Sequence, residues 1–432
     1  MLDKKEGLFK HPVVIAFLAI ISSIEFIRMS LFLTFLPSFL ISLHYNTAAL
    51  GLVISANLFA DNLSKGAVGW LVDHKGPWPI LLSGSIAAAI GVLLIMVFHQ
   101  SIVLLVLAAI LIGIGVAPTW PAAISGSIQT VGEEKRATII SIISVVWLAG
   151  GGLGPILMGF LIDSNMRKFL AKIHLPVLNA YKTGFTILVA VALLAIVICI
   201  LGWLSWNRVP HIKNLTIERN QLSKGDRIKE VISRLWRVKG LIPGMFFQTL
   251  SLGMLLPNLL PYATNKLGLS EAQYSILLLI GGLVVIAFMI PVGRLADHWG
   301  PRAFLVTGFI LAATSLFTMV TYGTGNNVWW IVGFVGLSYA LIQPAWNSLL
   351  AGSIPPAQRG VLMGLFMSVE GLGFAVGPLV GGFLGTLSSK DLGWLGGTGL
   401  VAPFYISSIC LALMAVVYLF YPFHHYYQVE GT

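Results

Sequence analysis

The sequence has very little charge. Asp, Glu, Lys and Arg make up 10% of its 432 residues, against 57% hydrophobic residues. A water-soluble protein carries about 25% charged residues. This chain cannot solvate its own surface as a globule in water, so the bilayer must be its solvent. Cysteine is scarce too. The two cysteines, Cys199 and Cys410, sit inside apolar runs. They exclude a disulfide framework, and no Cys/His cluster has metal-site spacing. No nucleophile–base pair and no phosphate-binding glycine loop is evident either. The expectation is therefore no metal, no cofactor and no enzyme.

What is present is apolar and long. A membrane-spanning helix needs roughly 20 apolar residues. Twelve runs qualify, approximately 13–43, 47–72, 80–98, 101–130, 137–163, 183–204, 241–267, 271–296, 303–323, 327–353, 361–387 and 398–421. Short connections make most neighbouring helices antiparallel. The expectation is an all-α integral membrane protein with twelve transmembrane helices. The segment 205–240 divides them six and six. That gives an N-terminal bundle over 1–204, a linker over 205–240 and a C-terminal bundle over 241–432. Within the linker, Ile228, Val231, Ile232 and Leu235 have helical spacing. The linker is either an amphipathic helix on the membrane surface or a solvated tether.

The net charge of +10 is unevenly placed. Lys4, Lys5, Lys10, Lys75, Lys135, Arg136, Arg294, Arg302 and Arg359 fall on one side of the predicted spans, with nine more between Arg208 and Lys239. Arg167, Lys168, Lys172, Lys182, Lys266 and Lys390 fall on the other. The positive-inside bias places both termini and the linker in the cytoplasm of a multi-pass cell-membrane protein. The basic linker is read as facing anionic lipid, and no nucleic-acid partner is expected. The apolar run after Lys10 continues to about Leu43, far beyond a signal-peptide core of about 7–15 residues. It is read as a retained first membrane helix.

The chain also repeats itself. GWLVDHKGPW, from Gly69 to Trp78, returns as GRLADHWGPR, from Gly293 to Arg302. Gly69, Asp73 and Gly76 align with Gly293, Asp297 and Gly300, and Pro37 aligns with Pro261 at the same offset. One residue off that offset, Pro121 meets Pro344, Arg136 meets Arg359, and Gly154-Pro155 meets Gly377-Pro378. The two halves are therefore related, each turning at the membrane surface on an Asp-Gly-Pro hinge. Gly150, Gly154 and Gly159, with Gly373, Gly377 and Gly381, would line one face of their helices and admit a close partner.

Ionisable groups inside spans demand explanation, because a charge at mid-bilayer costs about 2.5–3.5 kcal/mol on the gentlest scale. They are Glu25, Arg28, Asp61, Lys65 and Glu370. Glu25 lies roughly 18 Å past the start of its helix, and Asp61 roughly 18 Å before the hinge at Asp73. Glu25, Arg28 and Asp61 therefore share one layer. An Arg between two carboxylates holds one ionised and leaves the other free to carry a proton. The alternative is a static ion cluster pinning the first helix to the second. Lys65 either joins the cluster or snorkels to the surface. Trp120 and Trp147 are placed at mid-depth, as a floor for a ring-shaped substrate or as core. The second half offers Gln248, Asn258, Gln343, Asn347 and Glu370, with Val285 where Asp61 stands in the first. A cavity charged on one wall and apolar on the other suits an amphiphile.

These residues resemble the major facilitator superfamily of secondary transporters. The hinge is similar to that family's loop signature G-x-x-x-D-R-x-G-R-R, which Gly69, Asp73 and Gly76 match. His74, Pro77 and Trp78 depart from its basic positions. The resemblance implies two pseudo-symmetric six-helix bundles, alternating access, action as a monomer, and Asp73 as a latch, which is either weaker for the missing charges or completed by Arg136. Gly150-x-x-x-Gly154-Pro155-x-x-x-Gly159 looks like the helix-5 signature of the family's antiporters. The fourth-helix Arg of its drug antiporters is absent from LLVLAAILIGIGVAPTWP. Glu25-x-x-Arg28, Asp61 and Trp120 are similar to the family's lipoteichoic-acid glycolipid flippases. That implies proton-coupled export or flipping of a glycolipid, with protons and membrane lipids as partners. Multidrug efflux is the rival within transport. A membrane receptor without flux is the rival outside it.

Overall fold

The computed structural model describes residues 11–131, 136–166, 168, 179–206, 240–353, 359–387 and 399–421. The linker stretch from Ile228 to Leu235, read as an amphipathic helix or a solvated tether, lies outside them. So do the side chains of Arg136, Asp297 and Arg359.

A backbone dissolved in lipid must pair every N–H and C=O within its own segment. With a mean hydropathy of +0.90, this chain meets that demand by helix. Among the described residues there is no strand. The helices are α1 (Pro12–Met29), α2 (Leu36–Ser42), α3 (Thr47–Lys75), α4 (Pro77–Phe98), α5 (Ile102–Val116), α6 (Thr119–Val131), α7 (Arg136–Ile162) and α8 (Ala180–Trp206). They continue as α9 (Ile242–Asn265), α10 (Glu271–Trp299), α11 (Pro301–Tyr322), α12 (Val328–Ser353), α13 (Arg359–Leu384) and α14 (Ala402–Phe420). A π-helical segment, Ser30–Phe35, joins α1 to α2, and α5 and α6 form one continuous span, Ile102–Val131. The described residues therefore make twelve rods.

Ten of these rods are long and apolar enough to cross a membrane. The two that fall short are α3 and α9. Asn57, Asp61, Asn62 and Lys65 dilute α3, while Gln248, Thr249, Asn258 and two internal prolines, Pro257 and Pro261, dilute α9. Both hold polar groups that the sequence marks as candidates for chemistry.

Contacts divide the chain into two compact units. The first comprises residues 1–44 and 56–219, the second 45–55 and 220–432. The first turns of α3 thus pack with the second unit: Thr47 Oγ1 donates to the Gly382 carbonyl over 2.9 Å, and Gly51 abuts Pro378.

Within the first unit α1 is central and packs on α6, α7 and α8. Glycine permits the closest of these contacts. A Cβ on Gly150 would stand 2.5 Å from the Ser22 carbonyl oxygen, and one on Gly154 2.7 Å from that of Phe26. The second unit repeats the device between α13 and α9. A Cβ on Gly373 would lie 2.5 Å from the Phe246 oxygen, and one on Gly377 2.6 Å from that of Leu250. Its core gathers Phe309, Trp346, Phe404 and Tyr418. The Tyr418 hydroxyl accepts from the Gly244 N–H at 3.0 Å and donates to the Gly240 carbonyl at 2.9 Å, tying α14 to the start of α9.

The two hinges share one backbone solution. Gly76 has φ +84° and Gly300 has φ +87°, a region that side chains with a Cβ avoid. Each glycine ends one helix, and the proline after it opens the next, where a missing N–H costs nothing. The Asp-Gly-Pro repeat is therefore a helix stop and restart, written twice.

Candidate functional site

The charged residues of the first two spans converge. The side chains of Glu25 and Asp61 are only 5% and 4% exposed, that of Arg28 15%. Glu25 and Arg28 are three residues apart on α1 and so face the same way. Arg28 donates from Nε and Nη2 to Glu25 Oε2, at 3.1 and 2.9 Å. Its Nη1 reaches across to Asp61 Oδ2 on α3 at 3.3 Å. Asp61 stands at the middle of the 29-residue α3, as its predicted depth requires.

Lys65, whose placement the sequence left open, joins the cluster. Its Nζ lies 3.1 Å from Asp61 Oδ2 and 3.2 Å from Asn62 Oδ1. Its side chain is 48% exposed, so it connects the buried pairs to the surface. Two acids thus face two bases, and the cluster is neutral when all four are ionised.

One atom breaks the pattern. Asp61 Oδ1 is buried and accepts no hydrogen bond from the described residues. A buried carboxylate oxygen without a donor is costly. A hydroxyl donating to it removes the cost, and a proton on it removes the charge.

Neighbouring backbone fixes the position of Asp61. Asn57, one turn earlier, donates from Nδ2 to the Ala109 carbonyl of α5 at 3.1 Å. A Cβ on Gly113 of α5 would meet the Asp61 backbone nitrogen at 3.0 Å. Neither Asn57 nor Gly113 stands among the candidate residues read from the sequence. Their signal was available: an Asn four residues before the acid, and a glycine in a helix otherwise rich in Leu and Ile. The π-helical segment just after Arg28 carried no sequence signal. It leaves the Ser30 and Thr34 hydroxyls buried without a hydrogen bond among the described residues.

Trp120 and Trp147 meet edge to face, with centroids 6.0 Å apart and planes at 73°. Both are half-buried. Since Gly150 and Gly154 follow Ser22 and Phe26 in register, α7 runs parallel to α1. Trp147 then lies about six residues, roughly 9 Å, nearer the start of α1 than Glu25.

The second unit separates its candidates. Gln248 is 3% exposed and accepts from the Trp346 indole N–H. Asn258 is fully buried, and its Nδ2 donates to the Gly381 carbonyl at 2.8 Å and to that of Met254 at 3.1 Å. In this conformation both residues join helices to each other. Gln343 and Glu370 are half-buried, and Asn347 is exposed. Glu370 makes no ion pair or hydrogen bond among the described residues. Of the hinge residues, Asp73 is exposed, and Gly69 and Gly293 are half-buried. Pro155 and Pro378 lie inside α7 and α13. The described residues hold no group of three His, Cys, Asp or Glu arranged for a metal ion.

Comparison with known proteins places the chain as a whole. The flippase LtaA of Staphylococcus haemolyticus, described as a proton-coupled antiporter, is 27% identical over 368 residues, covering 84% of this chain and 83% of that one. Its Staphylococcus aureus counterpart is 27% identical over 411 residues, 94% of each chain. Among solved structures, a bacterial homolog of the human lysosomal transporter Spinster superposes with a TM-score of 0.74 at 16% identity, covering 96% of this chain and 97% of that one. A D-xylose–proton symporter superposes at 0.72 with 15% identity, covering 96% and 99%. These structures share the fold. The sequence profile of the Major Facilitator Superfamily matches residues 18–243 and again 241–428. The chain, with its duplicated hinge and its two helical units, belongs to the Major Facilitator Superfamily.

Proposed function

We propose that this protein is a proton-coupled antiporter of the cell membrane that exports or flips an amphiphile, a glycolipid in particular, by alternating access. The observation that carries this reading is Asp61 Oδ1, a buried acceptor without a donor in an otherwise paired cluster. A proton and a sugar hydroxyl compete for the same lone pairs there. With Asp61 ionised, the oxygen accepts from the head group. When a proton occupies Oδ1, that acceptor is lost and the attraction to Arg28 and Lys65 weakens. Proton arrival therefore releases the head group, which is exchange rather than cotransport.

Arg28 keeps the cluster in register. It fixes Glu25 through two donors and Asp61 through a third, so a change at Asp61 is felt at α1. The exposed stem of Lys65 gives protons a route from the surface. Trp120 and Trp147 offer aromatic faces for a sugar ring. Gln343, Asn347 and Glu370 are assigned to the substrate wall of the second unit, while Gln248 and Asn258 support it from behind. The flippase relatives at 27% identity support a lipid substrate. The hinge residues Asp73 and Asp297, with Arg136 and Arg359, are assigned to gating. Both termini face the cytoplasm, and the protein acts as a monomer.

Proteoliposomes carrying an imposed pH gradient test the substrate class. A fluorescent glycolipid should cross faster than a lipid with the same chains and no sugar, and cationic dyes should not compete. Competition by a broad set of dyes, with no head-group requirement, would make the protein a drug exporter instead.

A further inference from the structure

The second unit carries an apolar groove on its surface, between two of its helices. Helices α11 and α14 pack antiparallel. Arg302, in the first turn of α11, donates to the Leu419 carbonyl near the end of α14. Further along, the Ser408 hydroxyl donates to the Ala313 carbonyl at 2.7 Å. Between these two ties the helices leave a groove. Buried Ala313 and Ala415 form its floor, and Ile310, Thr314, Val416 and Leu419 form its walls.

The groove has nothing to offer a polar ligand. The Thr314 hydroxyl is turned back onto the Ile310 carbonyl at 2.8 Å. From the level of Arg302 to Thr314 is twelve residues, roughly 18 Å along the helix. One leaflet of hydrocarbon is about 15 Å deep. The length suits one acyl chain lying along the membrane normal.

The end of the groove at Arg302 differs in kind. It opens at the second hinge, where the sequence sets Arg294 and Arg302 against the single acid Asp297. Trp299 is 71% exposed and stacks on Phe304, with centroids 6.4 Å apart. An exposed Trp beside basic residues marks the height of lipid head groups. A guanidinium presents its donors as a rigid fork that matches a phosphate. Charge therefore selects the head group, and the apolar slot accepts the tail.

We propose that the groove between α11 and α14 holds one acyl chain of an anionic phospholipid whose phosphate lies at Arg302. The site is independent of the transported substrate and does not rest on the transport reading. A bound lipid would brace the hinge against the end of α14.

The test is thermal unfolding of delipidated, detergent-purified full-length protein with added phosphatidylglycerol or phosphatidylcholine of identical chains. Phosphatidylglycerol should raise the melting temperature more, at lower concentration. Arg302→Gln should cut that preference by roughly fivefold, the effect of one basic residue at a lipid surface. Arg302→Lys, which keeps the charge, should retain most of it. Ala412→Trp, which fills the groove from an exposed lining position, should weaken the response to both lipids. Equal stabilisation of the wild type by the two lipids would overturn the head-group assignment. A preference that survives both Arg302→Gln and Ala412→Trp would place the lipid elsewhere. If native mass spectrometry shows a dimer that Ala412→Trp dissolves, a second copy, not a lipid, fills the groove.

Discussion

Asparagine in place of Asp61 should reduce pH-driven transport in proteoliposomes to the level of protein-free liposomes. Asn fills the same volume and keeps an oxygen, so the site loses its charge and its proton rather than its shape. The stability cost should be modest. Arg28 keeps both of its bonds to Glu25, and Lys65, already 48% exposed, can turn to water. Loss of transport with a near-normal melting temperature is the signature of a proton carrier. A static pin between α1 and α3 would show the reverse, lowered stability with transport retained. Glu25→Gln should slow transport less severely, because it weakens the anchor of Arg28 but leaves the Asp61 carboxyl in place. If neither substitution changes pH-driven transport, the coupling assigned to this cluster is wrong.

Arg28→Gln should be the most destabilising single change in the cluster. Arg28 is the one ion partner of Glu25 among the described residues. Removing it leaves a buried acid uncompensated, a loss of about 3–5 kcal/mol for a broken buried pair. The thermal transition in detergent should fall accordingly, and coupling should fail with it. The double variant Arg28→Met with Glu25→Gln separates the two effects. It removes the stranded charge along with its partner, so it should recover much of the stability and none of the coupling. A double variant no more stable than Arg28→Gln alone would show that Arg28 acts by packing and not by charge. The pair is in contact, so strong non-additivity is expected.

Much of this was legible in the chain because oil is an unforgiving solvent. Scarce charge and long apolar runs fix helices, and intramembrane charge must be paired. Glu25, Arg28 and Asp61 could therefore be placed in one layer by counting residues from the surface. The duplicated hinge was legible because only glycine accepts the φ of +84° and +87° found at Gly76 and Gly300. The partnership of Lys65 was not, since a flexible stem of that length reaches either the surface or the acid one turn away. Gln248 and Asn258 show the opposite limit. Sequence marks them as polar in an apolar run, but a buried amide bonded to Trp346 or to the Gly381 carbonyl reads the same as one awaiting a substrate. Only the contact separates them. The groove between α11 and α14 had no signal at all. It arises from small side chains on two helices far apart in sequence, and no periodicity records their meeting.

The most direct test measures glycolipid binding to purified protein as the pH is lowered. If proton and head group share Asp61 Oδ1, binding must expel a proton, and by reciprocity acid must weaken binding. Wild-type affinity should fall with falling pH at a limiting slope of one proton per lipid, and Asp61→Asn should bind with no pH dependence over that range. A wild-type affinity indifferent to pH, or a slope that persists in Asp61→Asn, would contradict the competition at that atom.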